Sequence, residues 1–187
     1  MQDLMESWHD IPAPNAPALH PVTVDIPRTA LLVLDLQKTN CNAERRPRCV
    51  HTLPGIQKLI AAARSKNMRV VYSLTAKATP ADILEEVTPL ATDHIVKSSV
   101  DKFYNTDLED YLTQAAIDTV ILTGTAAEGA VLHTAAGAAM RGVNIVAPVD
   151  GLSSSSLYAE QYTIWHLANS PGTKKRTTLT RIDLISL

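Results

Sequence analysis

The sequence predicts an α/β fold, with three layers (α/β/α) around a central, mostly parallel sheet of six strands. Two observations carry that expectation. Short apolar runs alternate along the chain with segments of helical spacing, strand and helix in turn. The runs are apolar on consecutive residues rather than on every second one, as in strands covered on both faces. Composition sets the frame: 187 residues fit one domain with a sizeable core. At 45% hydrophobic and 19% charged residues, the mixture is that of an ordinary globular protein. The net charge of -2 comes with no basic stripe, and the apolar runs are too short to span a bilayer. Neither a nucleic acid nor a membrane is therefore expected as a partner.

Residues 1–28 read as an extended arm, since "IPAPNAPALHP" is rich in Pro and Ala. A single domain, 29–187, follows. Its strands are expected at 29–35, 68–75, 93–99, 118–124, 143–151 and, at an edge, 174–180. Helices are expected between them. In 52–67, Ile56, Leu59, Ile60 and Ala63 share one face. A short helix covers 80–87, with Pro80 early in it. In 106–116, Thr106 and Glu109 have the spacing of a capping box. Residues 128–141 end at Gly142. The last helix, 156–169, carries Trp165, which is expected in the core.

Cys41 and Cys49 lie eight residues apart. The opening "MQDLMESWHD" lacks the basic and apolar regions of a signal peptide. Two reduced thiols in a cytoplasmic protein are the expectation. The alternative is a disulfide that pins a loop in a periplasmic or secreted protein whose signal is not in this chain. The six histidines show no metal spacing, and no Gly-rich phosphate loop is present. Neither a metal nor a cofactor is expected.

In parallel sheets with helices on both faces, ligands bind beyond the C-terminal ends of the strands. That rule selects Asp35, Thr75, Lys97 and the turn 124–130. A carboxylate at the rim of an apolar sheet tends to a raised pKa, which suits a general acid or base, although Asp35 could equally cap the next element. Lys97 could hold Asp35 ionised or stabilise developing negative charge, and Lys102, five residues on, competes for that role. The turn offers backbone amides at a helix N-terminus, and its small residues also suit tight packing on the sheet. Arg45, Arg46 and Arg48 could bind a substrate carboxylate or form a solvated loop.

Three segments together resemble the isochorismatase-like hydrolase superfamily, over about residues 29–180. "LLVLDLQKTNC" is similar to its first motif, with Asp35 and Gln37 in place. "VKSSVDKFYNTDL" is similar to the second, which registers Lys97 with the family lysine and Phe103 with its Phe. Lys102 stands where Ala is frequent, and it is the alternative lysine. "TGTAAEGAVLHTA" resembles the third, in which a cysteine nucleophile precedes Val, and the position of that cysteine is Ala130. The resemblance implies a Rossmann-like sheet, a cis peptide at Thr125–Ala126, and oxyanion-type donors at the amides of Ala126 and Ala130. It implies catalytic roles for Asp35 and one lysine, and substrate contacts at Gln37, Ala126, Phe103 and Gly129. It also implies a small-molecule substrate and a homo-oligomer, dimer or tetramer.

Alanine cannot attack a carbonyl. Isochorismatases of this superfamily hydrolyse a vinyl ether without a cysteine, by protonation and attack of water, and the chain is read first as such an acid/base hydrolase acting through Asp35. The alternatives are a cysteine amidohydrolase for amide, ureide or carbamoyl substrates that is inactive with Ala130, and a non-catalytic ligand-binding protein.

Overall fold

The computed structural model describes residues 3–187. The elements, in chain order, are β1 (Val22–Thr23), β2 (Thr29–Leu34), α1 (Pro47–Ser65), β3 (Arg69–Leu74), β4 (His94–Lys97), α2 (Leu108–Gln114), β5 (Thr119–Thr125), α3 (Leu132–Met140), β6 (Asn144–Pro148), β7 (Leu152–Ser153), α4 (Leu157–Asn169), β8 (Thr177–Thr180) and β9 (Ile185–Ser186). The central sheet runs β4-β3-β2-β5-β6-β8, and β7 adds to the end of β5. Every pairing between these strands is parallel.

The sheet thus has seven strands rather than six. β6 follows β5 only as far as Ile121↔Val146, which leaves the end of β5 unpaired on that side. The chain then turns back as β7 and covers Gly124 and Thr125. A separate two-stranded pair, β1 with β9, ties the arm to the C-terminal end of the chain. β2 is buried at all six positions, as its continuous apolar run demands. Its alternate residues feed two cores: Ala30, Leu32 and Leu34 face α3, while Leu31 and Val33 face α1. The two cores make the three layers.

Several helical expectations shift. α1 begins at Pro47, five residues earlier than the spacing suggests, with Pro47 at its first position and Pro54 inside it. The segment 80–87 forms two single turns, Pro80–Asp82 and Glu85–Val87, instead of one helix. Its middle is held extended, because Ile83 bridges Gln37 and Leu84 N–H donates to Leu36 O at 3.1 Å. The Thr106–Glu109 capping box does not form. Thr106 Oγ1 donates to Lys102 O at 2.5 Å, and Glu109 pairs with Arg141. In place of a helix starting at 128, a π-type turn spans Ala127–Val131 and kinks at Gly129, ahead of α3.

The two cysteines are joined in a disulfide, against the expectation of free thiols. Asn42 Oδ1 accepts the amides of Glu44 and Arg45, folding the intervening loop back so that both cysteines are buried with Cα atoms 5.3 Å apart. Trp165 is also not in the core. It is 40% exposed and faces the arm, with which α4 encloses a cleft of about 590 Å³. Of the expected arm, residues 1 and 2 lie outside the described residues. No helix among the described residues is long and apolar enough to cross a membrane.

Candidate active site

Asp35 follows the last residue of β2 at the C-terminal edge of the sheet, with its backbone in the left-handed region at φ 52°. Few non-glycine residues hold that conformation without surrounding support, and such positions gather at functional sites. The support here is Ser73, the β3 partner of Leu34. Its hydroxyl accepts from Asp35 N–H at 3.2 Å and donates to Asp35 Oδ1 at 2.7 Å. The other oxygen, Oδ2, accepts from Lys102 Nζ at 2.9 Å. Lys102 also donates to Ser99 O at 2.7 Å and Ser98 O at 3.3 Å, so all three of its N–H groups are engaged. Asp35 is 3% exposed and Lys102 not at all. Burial, the largest influence, pushes the Asp35 carboxyl above its ordinary value, while Lys102, Ser73 and the charge of Arg46 pull it back.

Lys97, the lysine that sequence register favours, is not at Asp35. It closes the edge strand β4 and is exposed. The chain then loops back over the sheet, and the loop brings the alternative, Lys102, to the centre. α3 fastens that loop: Thr134 Oγ1 accepts from Lys102 N–H at 3.2 Å. Phe103, the next residue, is buried. Its ring packs in the core beneath Arg141, whose guanidinium lies 4.6 Å from the ring centroid. Phe103 thus packs in the core from the same turn that carries Lys102.

Gln37 is buried and clamps the end of β3, donating to Thr75 Oγ1 at 2.8 Å and accepting from Thr75 N–H at 3.2 Å. The turn at the end of β5 contains the cis peptide Thr125–Ala126. Gly129 and Val131 N–H both donate to Ala126 O, at 3.0 and 3.2 Å, which closes the turn. Ala130 is 4% exposed in the core cluster that lies beneath Asp35's strand. Glu128, from the same turn, accepts from the Ser154 hydroxyl at 2.5 Å.

Of the three loop arginines, Arg48 forms a two-pronged pair with Glu160, at 2.8 and 2.6 Å, and Arg45 donates to Thr39 O at 3.0 Å. Only Arg46 has a guanidinium on which the charges of both Glu128 and Asp35 act. Burial, then the neighbouring Arg45, lower its pKa from the ordinary arginine value. Ser73 is a site residue that the sequence reading missed, because nothing in the sequence pairs it with Asp35. Among the described residues, no group of three or more His, Cys, Asp or Glu is arranged to hold a metal ion.

What the site offers chemically is a buried carboxyl with raised proton affinity, a fully bonded lysine on one of its oxygens, and a turn of small residues without a thiol. A family model described as "Isochorismatase domain" matches residues 29–178. N-carbamoylsarcosine amidase of Arthrobacter sp. is 25% identical over 153 residues, 67% of this chain and 58% of that protein. YaaI of Bacillus subtilis (strain 168), an uncharacterized isochorismatase family protein, is 32% identical over 89 residues, 47% of this chain and 49% of that one. The chain thus spans about half the length of the curated relatives it matches. An isochorismatase-like hydrolase from Alkaliphilus metalliredigens superposes with a TM-score of 0.76 at 25% identity, over 83% of this chain and 95% of that one. N-carbamoylsarcosine amidase from Thermoplasma acidophilum, at 23% identity, shares the fold with a TM-score of 0.71, over 83% of this chain and 97% of that one. With the family model covering the domain from β2 to β8, the chain belongs to the isochorismatase family.

Proposed function

We propose that this chain is a cysteine-independent hydrolase of a small polar metabolite, with Asp35 as general acid and Lys102 as its partner. One observation carries the reading: Asp35 and Lys102 form a buried pair at 2.9 Å, while the residue that the family resemblance registers with the nucleophile is alanine, Ala130. An acid without a nucleophile suits an enol ether. The Asp35 proton goes to the terminal carbon of the double bond, and the electron pair of that bond forms the new C–H bond. Water attacks the resulting oxocarbenium ion, the hemiketal breaks its C–O bond, and alcohol and ketone leave. The proton that water loses returns to Asp35. Lys102 stabilises the carboxylate between those steps. Isochorismate is the first substrate to test.

The test is hydrolysis in D2O. Protonation by the acid puts one deuterium on the new methyl group of the released keto acid, and Asp35→Asn abolishes the turnover. A second reading is favoured by the resemblance to N-carbamoylsarcosine amidase. In it the chain is an amidohydrolase whose attacking thiol is missing, and Ala130→Cys gains hydrolysis of an amide, ureide or carbamoyl compound. The exposed aromatic residues of α4, Tyr158, Tyr162 and Trp165, suit the contact of a homo-oligomer, which light scattering on the purified chain tests.

A further inference from the structure

Arg45 and Arg46 both lack a carboxylate partner among the described residues, and of the two only Arg46 is partly buried. Its guanidinium forms none of the ion pairs within 4.0 Å among the described residues. Its single protein hydrogen bond is to Asn40 O at 3.2 Å, and its Nε–H is buried with no partner. A buried N–H of a charged group without an acceptor is costly, and native structures keep few of them. Arg64 also has a buried Nε without a partner, but its guanidinium already binds Tyr72, Thr88 O and Asp93. Arg46 has no such anchor.

Its backbone, by contrast, is firmly placed. Arg46 precedes the first turn of α1, with its N–H on Asn42 O at 2.9 Å and its carbonyl accepting Cys49 N–H at 2.9 Å. The Cys41–Cys49 disulfide encloses it, and Asn40, its carbonyl partner, follows Asp35 by five residues on the same loop. The loop is thus fixed covalently at its base, and the charges of Arg46 and Asp35 act on each other.

We infer that Arg46 is the substrate-positioning residue of this site and that it recognises a carboxylate on the substrate. The inference rests on the hydrolase site proposed above. A carboxylate matches the chemistry on the page. Its two oxygens take two parallel guanidinium N–H groups, and the unpartnered Nε–H is one of them. The charge around Arg46 is mixed, with Arg45 adding a positive charge and Glu128 a negative one.

The experiment measures equilibrium binding to the full chain of two matched probe pairs, benzoate against benzamide and acetate against acetamide. Parent, Arg46→Ala, Arg46→Lys and Arg48→Ala are compared by calorimetry or NMR titration. The expected result is at least a ten-fold preference of the parent for one of the carboxylates over its amide. Arg46→Ala reduces that preference below two-fold, Arg46→Lys keeps part of it, and Arg48→Ala, which loses only a surface pair, leaves it intact. No preference in the parent, or a preference that survives Arg46→Ala, overturns the inference. Binding needs no turnover, so the two readings fail separately. A carboxylate preference without hydrolysis removes only the proposed reaction. Hydrolysis of a carboxylate substrate with unchanged KM in Arg46→Ala removes only the role of Arg46.

Discussion

At the scale of single residues, the site is decided by which lysine reaches Asp35. Lys102 has three acceptors for its three donors and no exposure, whereas Lys97 is on the surface. Lys102→Met therefore leaves a buried carboxylate without its counter-charge, a loss of about 3–5 kcal/mol at neutral pH. Lys97→Met is expected to shift Tm by no more than about 4 °C and to leave kcat/KM within about five-fold, since exposed charges contribute about 0–1 kcal/mol. Thermal denaturation and steady-state kinetics on both variants check the pair of outcomes. The pH dependence follows from the raised pKa of Asp35. A general acid works protonated, so kcat/KM is flat at low pH and falls as pH rises through that pKa. Stability has the same sign. The folded chain holds the Asp35 proton more tightly than the unfolded chain, so the stability from this group is full below 3.8 and is lost as pH rises through the folded value. Across that window the parent loses stability relative to Asp35→Asn, which a pH series of denaturant melts reads. The sequence placed Asp35 correctly at a strand end. It could not choose the lysine, because the choice depends on a loop, 98–103, whose path is set by α3 rather than by any local pattern.

At the scale of elements, α3 and the disulfide loop do the positioning. Gly137 of α3 lets the lysine loop approach. A Cβ there would lie 2.9 Å from Asp101 Oδ1 and 3.0 Å from the Phe103 ring. Neither can retreat easily, since Asp101 Oδ1 accepts Phe103 N–H at 3.0 Å and Phe103 is buried. Gly137→Ala is expected to displace Lys102 and lower kcat about ten-fold or more, with a much smaller effect on a bound carboxylate probe. Gly124 has a different constraint. At φ 125°, its added Cβ would sit 2.1 Å from Leu34 O, in backbone that cannot move without parting β2 from β5. Gly124→Ala is expected to cost about 3 kcal/mol or more, read by denaturant melts. Replacing both Cys41 and Cys49 by Ala frees a short loop in the unfolded chain, and chain entropy sets the loss at about 2–3 kcal/mol. In a chain of this size that lowers Tm by roughly 4–12 °C. The small residues of 135–139 were legible as a tight helix–sheet contact, but the two single turns at 80–87 were not. The early Pro80 suited a helix start, yet hydrogen bonds from the loop after β2 hold the middle extended.

For the whole molecule, the parallel sheet explains why the fold was readable. Continuous apolar runs fit only strands covered on both sides, and β2, β5 and β6 are such strands. The seventh strand was hidden because two residues leave no periodicity to detect. The arm was legible as extended, but not its use. It covers part of α4 and is fastened further on, where His20 N–H reaches Leu179 O at 2.9 Å and β1 pairs with β9. Removing residues 1–17 is therefore expected to leave kcat/KM within two-fold and to lower Tm by a few degrees at most. Removing residues 1–24 takes β1 as well and lowers Tm further. The proposed activity depends on one claim, that the pair at Asp35 works without a thiol. The direct test is isochorismate hydrolysis by the chain as it stands, by Asp35→Asn and by Ala130→Cys. The account predicts turnover by the parent, its loss in Asp35→Asn, and no need for the cysteine. An inactive parent together with an Ala130→Cys variant that hydrolyses an amide or ureide would contradict it.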